Sequence, residues 1–274
     1  MKSAMFKSIV AIAAIAILGA SCKKEDTPTP PVTDPYDNLY KIAEMPATGS
    51  TLTVALYMDE APFTGYNYVY AVVKDAAGNV VESANVSYMP MMDMGMMQHS
   101  SPVEQPVWDA DIKAMKGTVT FIMPSTTGTW TVKVMVEDQS TMQMGEATFP
   151  IDVIAPTEAK LFSFVSSVNQ AKIFVALVQP ANPKVGLNDF EVVVYQKTSM
   201  MDFPAVGDLY MTIDPEMPTM GHGSPNNVNP VATDNGHYMG KVNFTMTGYW
   251  KVNMEFFDNQ HISMFDQGYF DITF

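Results

Sequence analysis

The chain has 274 residues, long enough for one large or two ordinary domains of about 100–200 residues each. Its 47% hydrophobic content fits a packed core, while 15 Lys and Arg against 29 Asp and Glu give a net charge of −14, a field that repels polyanions and excludes nucleic acid as a partner. A single cysteine, Cys22, excludes an internal disulfide, a zinc ribbon or an iron–sulfur cluster, and 24 methionines are far more than ordinary domains carry.

At the N-terminus Lys2 and Lys7 flank the start of an apolar run over residues 9–18. That run is too short for the roughly 20 residues of a membrane-spanning helix, and it reads as the apolar region of a signal peptide. Gly19, Ala20 and Ser21 then lead into Cys22, and the segment resembles a bacterial lipobox with Leu18 one place further from the cysteine than usual. The resemblance implies cleavage after residue 21 and a lipid on Cys22 as the membrane anchor. Lys23, Lys24, Glu25 and Asp26 resemble the acidic tag that sends some Gram-negative lipoproteins to the outer surface. Pro28, Pro30, Pro31 and Pro35 favour a semi-rigid polyproline spacer. The expected leader is a signal peptide over residues 1–21 and a lipidated, Pro-rich linker over 22–35. The expected location is the outer membrane or the cell surface, with the facing leaflet left open.

From Tyr36 onward the pattern is that of strands. Residues 51–57, 68–73, 117–123 and 130–137 are β-rich runs separated by Gly, Pro, Asp and Ser; in the last, Trp130, Val132, Val134 and Val136 share one face. The same order returns at 172–177, 190–195, 240–246 and 250–255. The expected fold is all-β: two tandem Ig-like β-sandwiches, over residues 36–154 and 155–274.

The second copy carries Met217-Pro-Thr-Met220-Gly-His222, then Gly236-His237-Tyr-Met-Gly240-Lys-Val-Asn-Phe244 and Gly248-Tyr-Trp250. These motifs resemble the YtkA-like domain, and the first copy follows them loosely through Met89-Pro, His99, Phe121 and Trp130, with Ala114 in place of His237 and an insertion between Phe121 and Trp130. The resemblance implies small, secreted, Ig-like domains with a connection to copper.

Residues 89–99 hold six methionines and His99, and Pro90 and Gly95 within them favour a loop. Thioether sulfur is soft and uncharged, so it prefers Cu(I) to Zn²⁺, Mg²⁺ or Ca²⁺, and it needs no deprotonation. Met89, Met92, Met94, Met97 and His99 are the candidate ligands of the first copy, and Met217, Met220, His222 and His237 those of the second, with Asp234 as an added carboxylate for Cu(II). A blue-copper centre is excluded because it needs a thiolate, and Cys22 is expected to carry lipid. Met123, Met246 and Met254 share strand faces with apolar residues and are expected in the core, and His261 is expected in a hairpin turn.

No Gly-x-Ser-x-Gly elbow, His-Glu-x-x-His helix or phosphate-cradling loop is present, so the chain is not expected to be an enzyme. The sequence leaves two main functions open, with a structural adhesin as a third possibility. One is a lipid-anchored copper protein for storage, sensing or hand-over to a copper-handling or outer-membrane partner. The other is a non-catalytic lipoprotein of an outer-membrane uptake complex that docks glycan or protein through Phe63, Tyr66, Tyr68 and Tyr70.

Overall fold

In a computed structural model, which describes residues 35–274, the regular elements are strands and one 3-10 turn. The expected signal peptide, Cys22 and the linker up to residue 34 lie outside the described residues.

The first half supplies β1 (Tyr40–Pro46), β2 (Thr53–Met58), β3 (Gly65–Lys74), β4 (Ala84–Asp93) and β5 (Gln98–His99). It continues with β6 (Val103–Asp109), β7 (Ala114–Phe121), β8 (Thr129–Asp138) and β9 (Gln143–Ile151). The second half supplies β10 (Leu161–Val165), β11 (Lys172–Gln179), β12 (Gly186–Lys197), β13 (Tyr210–Met217) and β14 (His222–Gly223). It ends with β15 (Val228–Ala232), β16 (His237–Phe244), β17 (Tyr249–Phe257) and β18 (Ser263–Thr273).

Sheet order shows the duplication. The first half folds as a five-stranded sheet β1-β2-β3-β7-β6 and a four-stranded sheet β5-β4-β8-β9. The second folds as β10-β11-β12-β16-β15 and β14-β13-β17-β18, so every strand takes the place of the one nine before it. All pairings between these strands are antiparallel, and the result is two β-sandwiches in tandem. The insertion between Phe121 and Trp130 is the 3-10 turn at Ser125–Thr127.

Each sandwich closes over its own core. In the first, Val54, Leu56, Val69, Ala71, Val119 and Phe121 of the five-stranded sheet face Tyr88, Met92, Trp130, Val132 and Phe149 of the other. In the second, Val175, Val192, Val242 and Phe244 face Ile213, Trp250, Met254 and Phe270. Met254 is buried and Met123 is packed half-buried against the core, as the alternation suggested. Met246 is not: it is 38% exposed, because β16 ends at Phe244 and the alternation stops where the chain turns out.

The outer faces of the two five-stranded sheets meet. Tyr66 on β3 joins Phe174 and Ala176 on β11 and Val193 and Tyr195 on β12 in a third apolar cluster, with Tyr68 and Ile122 at its margin. Tyr70 lies in a further cluster beneath Tyr36 and Leu39. Tyr66 and Tyr70 are therefore buried, 7% and 3% exposed, and do not form the exposed aromatic platform that docking would use. Burial on both faces explains why β2, β3 and β11 read as nearly continuous apolar runs, whereas β8, with one face in solvent, alternates.

Candidate metal centre

The Met-rich stretch is a strand and a hairpin rather than a loop. β4 pairs with β8 as far as Asp93, and the chain turns over Met94–Met97 before His99 pairs back onto Met92. Pro90 is tolerated because its carbonyl faces the open edge of β4, where it accepts a hydrogen bond from Ser100 Oγ at 2.9 Å; the missing N–H lies on that same side. Strand alternation then sorts the methionines. Met92 is buried with Tyr88 and Pro90, whereas Met89 lies on the opposite face and is 44% exposed, so Met89 is not brought to His99.

Met92 is the Cα partner of His99 on one side and of Trp130 on the other. The His99 ring stands edge-to-face with Trp130, centroids 5.3 Å apart. Its Nδ1 lies 2.8 Å from the Ser100 carbonyl, which places the proton there and leaves the Nε2 lone pair free in the neutral ring. That Nε2 is buried and has no hydrogen-bond partner. Met94 packs half-buried against the core, Met97 is 51% exposed, and Met96 projects fully into solvent.

The second sandwich repeats the arrangement. Met217, 4% exposed, pairs with His222, and the His222 ring lies edge-to-face with Trp250 at 5.9 Å. His222 Nδ1 is 3.0 Å from the carbonyl of the next residue, Gly223, as His99 is from Ser100. The tryptophans are fixed alike, donating their indole N–H to Met123 O at 2.8 Å and Met246 O at 3.0 Å. Each Met methyl lies over a glycine: a Cβ on Gly128 would sit 3.0 Å from Met92 Cε, and one on Gly248 3.0 Å from Met217 Cε. Met220 is 58% exposed in the tight turn between the pair, where its N–H and that of Gly221 both donate to Met217 O.

His237 is elsewhere. It opens β16 opposite Val193, whereas Ser224, two residues after His222, bonds Asn243 at the far end of that strand. Six residues of extended chain is about 20 Å. Both ring nitrogens of His237 are engaged, Nε2 with Glu104 Oε1 at 2.6 Å and Nδ1 with Glu191 Oε1 at 2.7 Å. Burial opposes a charge on this ring, but the two carboxylates outweigh it and hold its pKa up to about 9. His237 is thus a cationic bridge between the sandwiches, and not a free ligand. Asp234 is exposed in the turn before it. His261 occupies the β17–β18 turn with a φ of 62°, stacked on Tyr210 at 4.0 Å.

Residues 167–255 match the YtkA-like family. The YtkA-like segment runs from before β11 into β17 and contains Met217, His222 and Trp250; the first half lies outside it. No curated protein matches the chain. Among solved structures, the adhesin InvE of Yersinia pseudotuberculosis is 12% identical over 82% of this chain and 60% of its own, with a TM-score of 0.27. A DUF4785 family protein of Legionella pneumophila is 8% identical over 82% of this chain and 57% of its own, with a TM-score of 0.29. The chain thus spans less than two thirds of either protein. Invasin, a bacterial integrin-binding protein, is 14% identical over 82% of this chain and 39% of its own, with a TM-score of 0.23.

The donors in and outside the YtkA-like segment suit one kind of ion. Among the described residues no group of three or more His, Cys, Asp or Glu side chains is placed to hold a metal. A thioether beside an imidazole, with an indole ring near by, is a donor set that would suit a soft monovalent cation. Pinning the outer ring nitrogen to a carbonyl is the usual way a protein aims the inner one at a metal. The tryptophans and their preceding glycines were missed as site residues, although both copies write Thr-Gly-x-Trp. Glu104, the partner of His237, carried no signal at all.

Proposed function

We propose that the chain is a lipid-anchored surface protein that binds Cu(I) as cargo, for storage, sensing or hand-over to a partner. Each sandwich would use a Met–His pair walled by tryptophan: Met92, His99 and Trp130 in the first, Met217, His222 and Trp250 in the second. Met94 and Met97, and Met220, lie in the turns above and would supply further sulfur. The observation that carries the reading is the buried Nε2 of His99, partnerless beside Met92; the Met–His pairing itself, though not the buried orphan nitrogen, recurs at Met217 and the half-buried His222. A buried polar atom without a partner is costly, and an ion would satisfy it. The acyl anchor on Cys22 and the outer-membrane location belong to this proposal; among the described residues no helix is long and apolar enough to cross a membrane.

The test is a competition titration with Cu(I) and a chromophoric chelator. The purified chain should take Cu(I), and Met217→Leu/His222→Ala together with Met92→Leu should abolish uptake with the fold retained, since leucine keeps the volume and removes the sulfur. Unchanged affinity would overturn the proposal. A docking function has one feature in its favour, an open cavity of about 650 Å³ bordered by the stacked Tyr210 and His261. Glycan binding abolished by Tyr210→Ala, with Cu(I) uptake absent, would establish it instead.

A further inference from the structure

We infer that the two centres divide the handling of the ion: the first sandwich is a closed holding site and the second an open site of uptake and release. The inference rests on the copper reading above. The donors are the same in kind, so the difference lies in what covers them.

At the first centre, six residues separate Met92 from His99; they form a hairpin turn, the lid of this proposal, with Met94 packed half-buried against the core and Met96 in solvent. The lid is fastened from within: the Asp93 carboxylate accepts from Gly95 N at 2.7 Å and from Gln98 Nε2 at 3.2 Å, and Met94 N and Met97 O close the turn at 3.0 Å. It is also fastened from outside. The inserted turn Ser125–Thr127 brings Gly128 so near that a Cβ there would meet Asp93 O at 2.6 Å. Ser100, next to His99, donates its N–H to Met200 O of the second half at 2.8 Å. His99 is accordingly 4% exposed and Met92 not at all.

Over the second centre only four residues separate Met217 from His222, and nothing corresponds to the inserted turn. His222 is half-buried and Met220 is 58% exposed, its sulfur within reach of solvent or of a partner's ligand. An incoming ligand can therefore attack an ion here directly. At the first centre it must wait for the hairpin to open, which sets the exchange rate by local unfolding.

The experiment uses Ag(I), a redox-inert cation of the same charge and softness, on the purified chain labelled with carbon-13 in the methionine methyl groups. Two ions should bind. The Met92 methyl should show separate free and bound signals, in slow exchange, while Met217 and Met220 shift as averaged signals. Excess free methionine should strip the second centre faster by about tenfold or more. Met92→Leu should remove the slow ion alone and Met217→Leu the fast one alone; because the comparison is already made in the unaltered chain, it survives a variant that fails to fold. Equal exchange at both centres, or the slower ion in the second sandwich, would overturn this inference and leave the copper reading standing. Absence of Ag(I) and Cu(I) from both centres would overturn the two together.

Discussion

The bridge Glu104–His237–Glu191 gives a prediction whose sign and size follow from geometry. Each carboxylate lies within 2.7 Å of one ring nitrogen, so both nitrogens must donate. A neutral imidazole has one N–H and would turn a lone pair on one of the two carboxylates. The side chain is 15% exposed, and its pKa is held up to about 9, against an ordinary value near 6.5. A group whose pKa rises on folding contributes stability in full below its unfolded value and loses it as the pH climbs through the folded one. The shift corresponds to about 3 kcal/mol. On the acid side, burial opposes the Glu104 charge, but His237, Tyr66 and Thr118 hydrogen-bond it and hold its pKa below the ordinary value. That contribution fades as the pH falls through the folded Glu104 value. The two shifts describe one coupled interaction and are not added.

The assay is thermal unfolding of the parent chain and of His237→Gln at about pH 6, 7.5 and 10. The parent should exceed the variant by about 6–12 °C at pH 6, and the gap should close by pH 10. A gap that stays constant or widens over that range would refute the assignment of a cationic bridge.

Three further outcomes are expected. Gly248→Ala, at φ 128° and against the Met217 methyl, should destabilise the chain by about 1–3 kcal/mol in denaturant titration and weaken Ag(I) binding at the second centre, with the first unchanged. Tyr88→Phe should cost about 1–2 kcal/mol by chemical denaturation, because the fully buried Tyr88 hydroxyl donates to Met115 O at 2.8 Å and that hydrogen bond is lost. Under mild peroxide, peptide mass spectrometry should find Met96, Met142, Met144 and Met220 oxidised first and Met92, Met58 and Met254 last, following exposure; early oxidation of Met92 would contradict its burial.

What the sequence revealed and withheld has physical causes. Strands with one wet face, such as β8, announce themselves by alternation, and the repeat shows because each core demands an aromatic pair at matching places, Phe121 with Trp130 and Phe244 with Trp250. The direction of Tyr66, Tyr68 and Tyr70 was not legible, since the surface that covers Tyr66 belongs to the other sandwich. The Met-rich strand hid its own periodicity. When Met89, Met91 and Met92 occupy neighbouring positions, residue type no longer separates inside from outside, and only the pairing with β8 does. His237 looked like a ligand because it follows the Met–His motif closely in sequence, but its partner Glu104 is 133 residues away, a separation that no local pattern reports.

Methionine fills cores well, and Met92 taken alone is explained by packing. Packing does not explain its neighbour. An apolar site gains nothing from an imidazole whose inner nitrogen has no partner, and leucine or phenylalanine at position 99 would bury as much surface without that cost. Nor does packing explain why the pair recurs at Met217 and His222, where the connecting turn is shorter, the sequence between differs and the histidine is half-open to solvent. What the two sandwiches share is the relation among the groups: a thioether across the ladder from an imidazole, the outer nitrogen of that imidazole tied to the following carbonyl, an indole at right angles, and a glycine that makes room for the methyl. A relation kept while its covering and exposure change is what the proposed soft-ion site requires, and close packing alone does not ask for it.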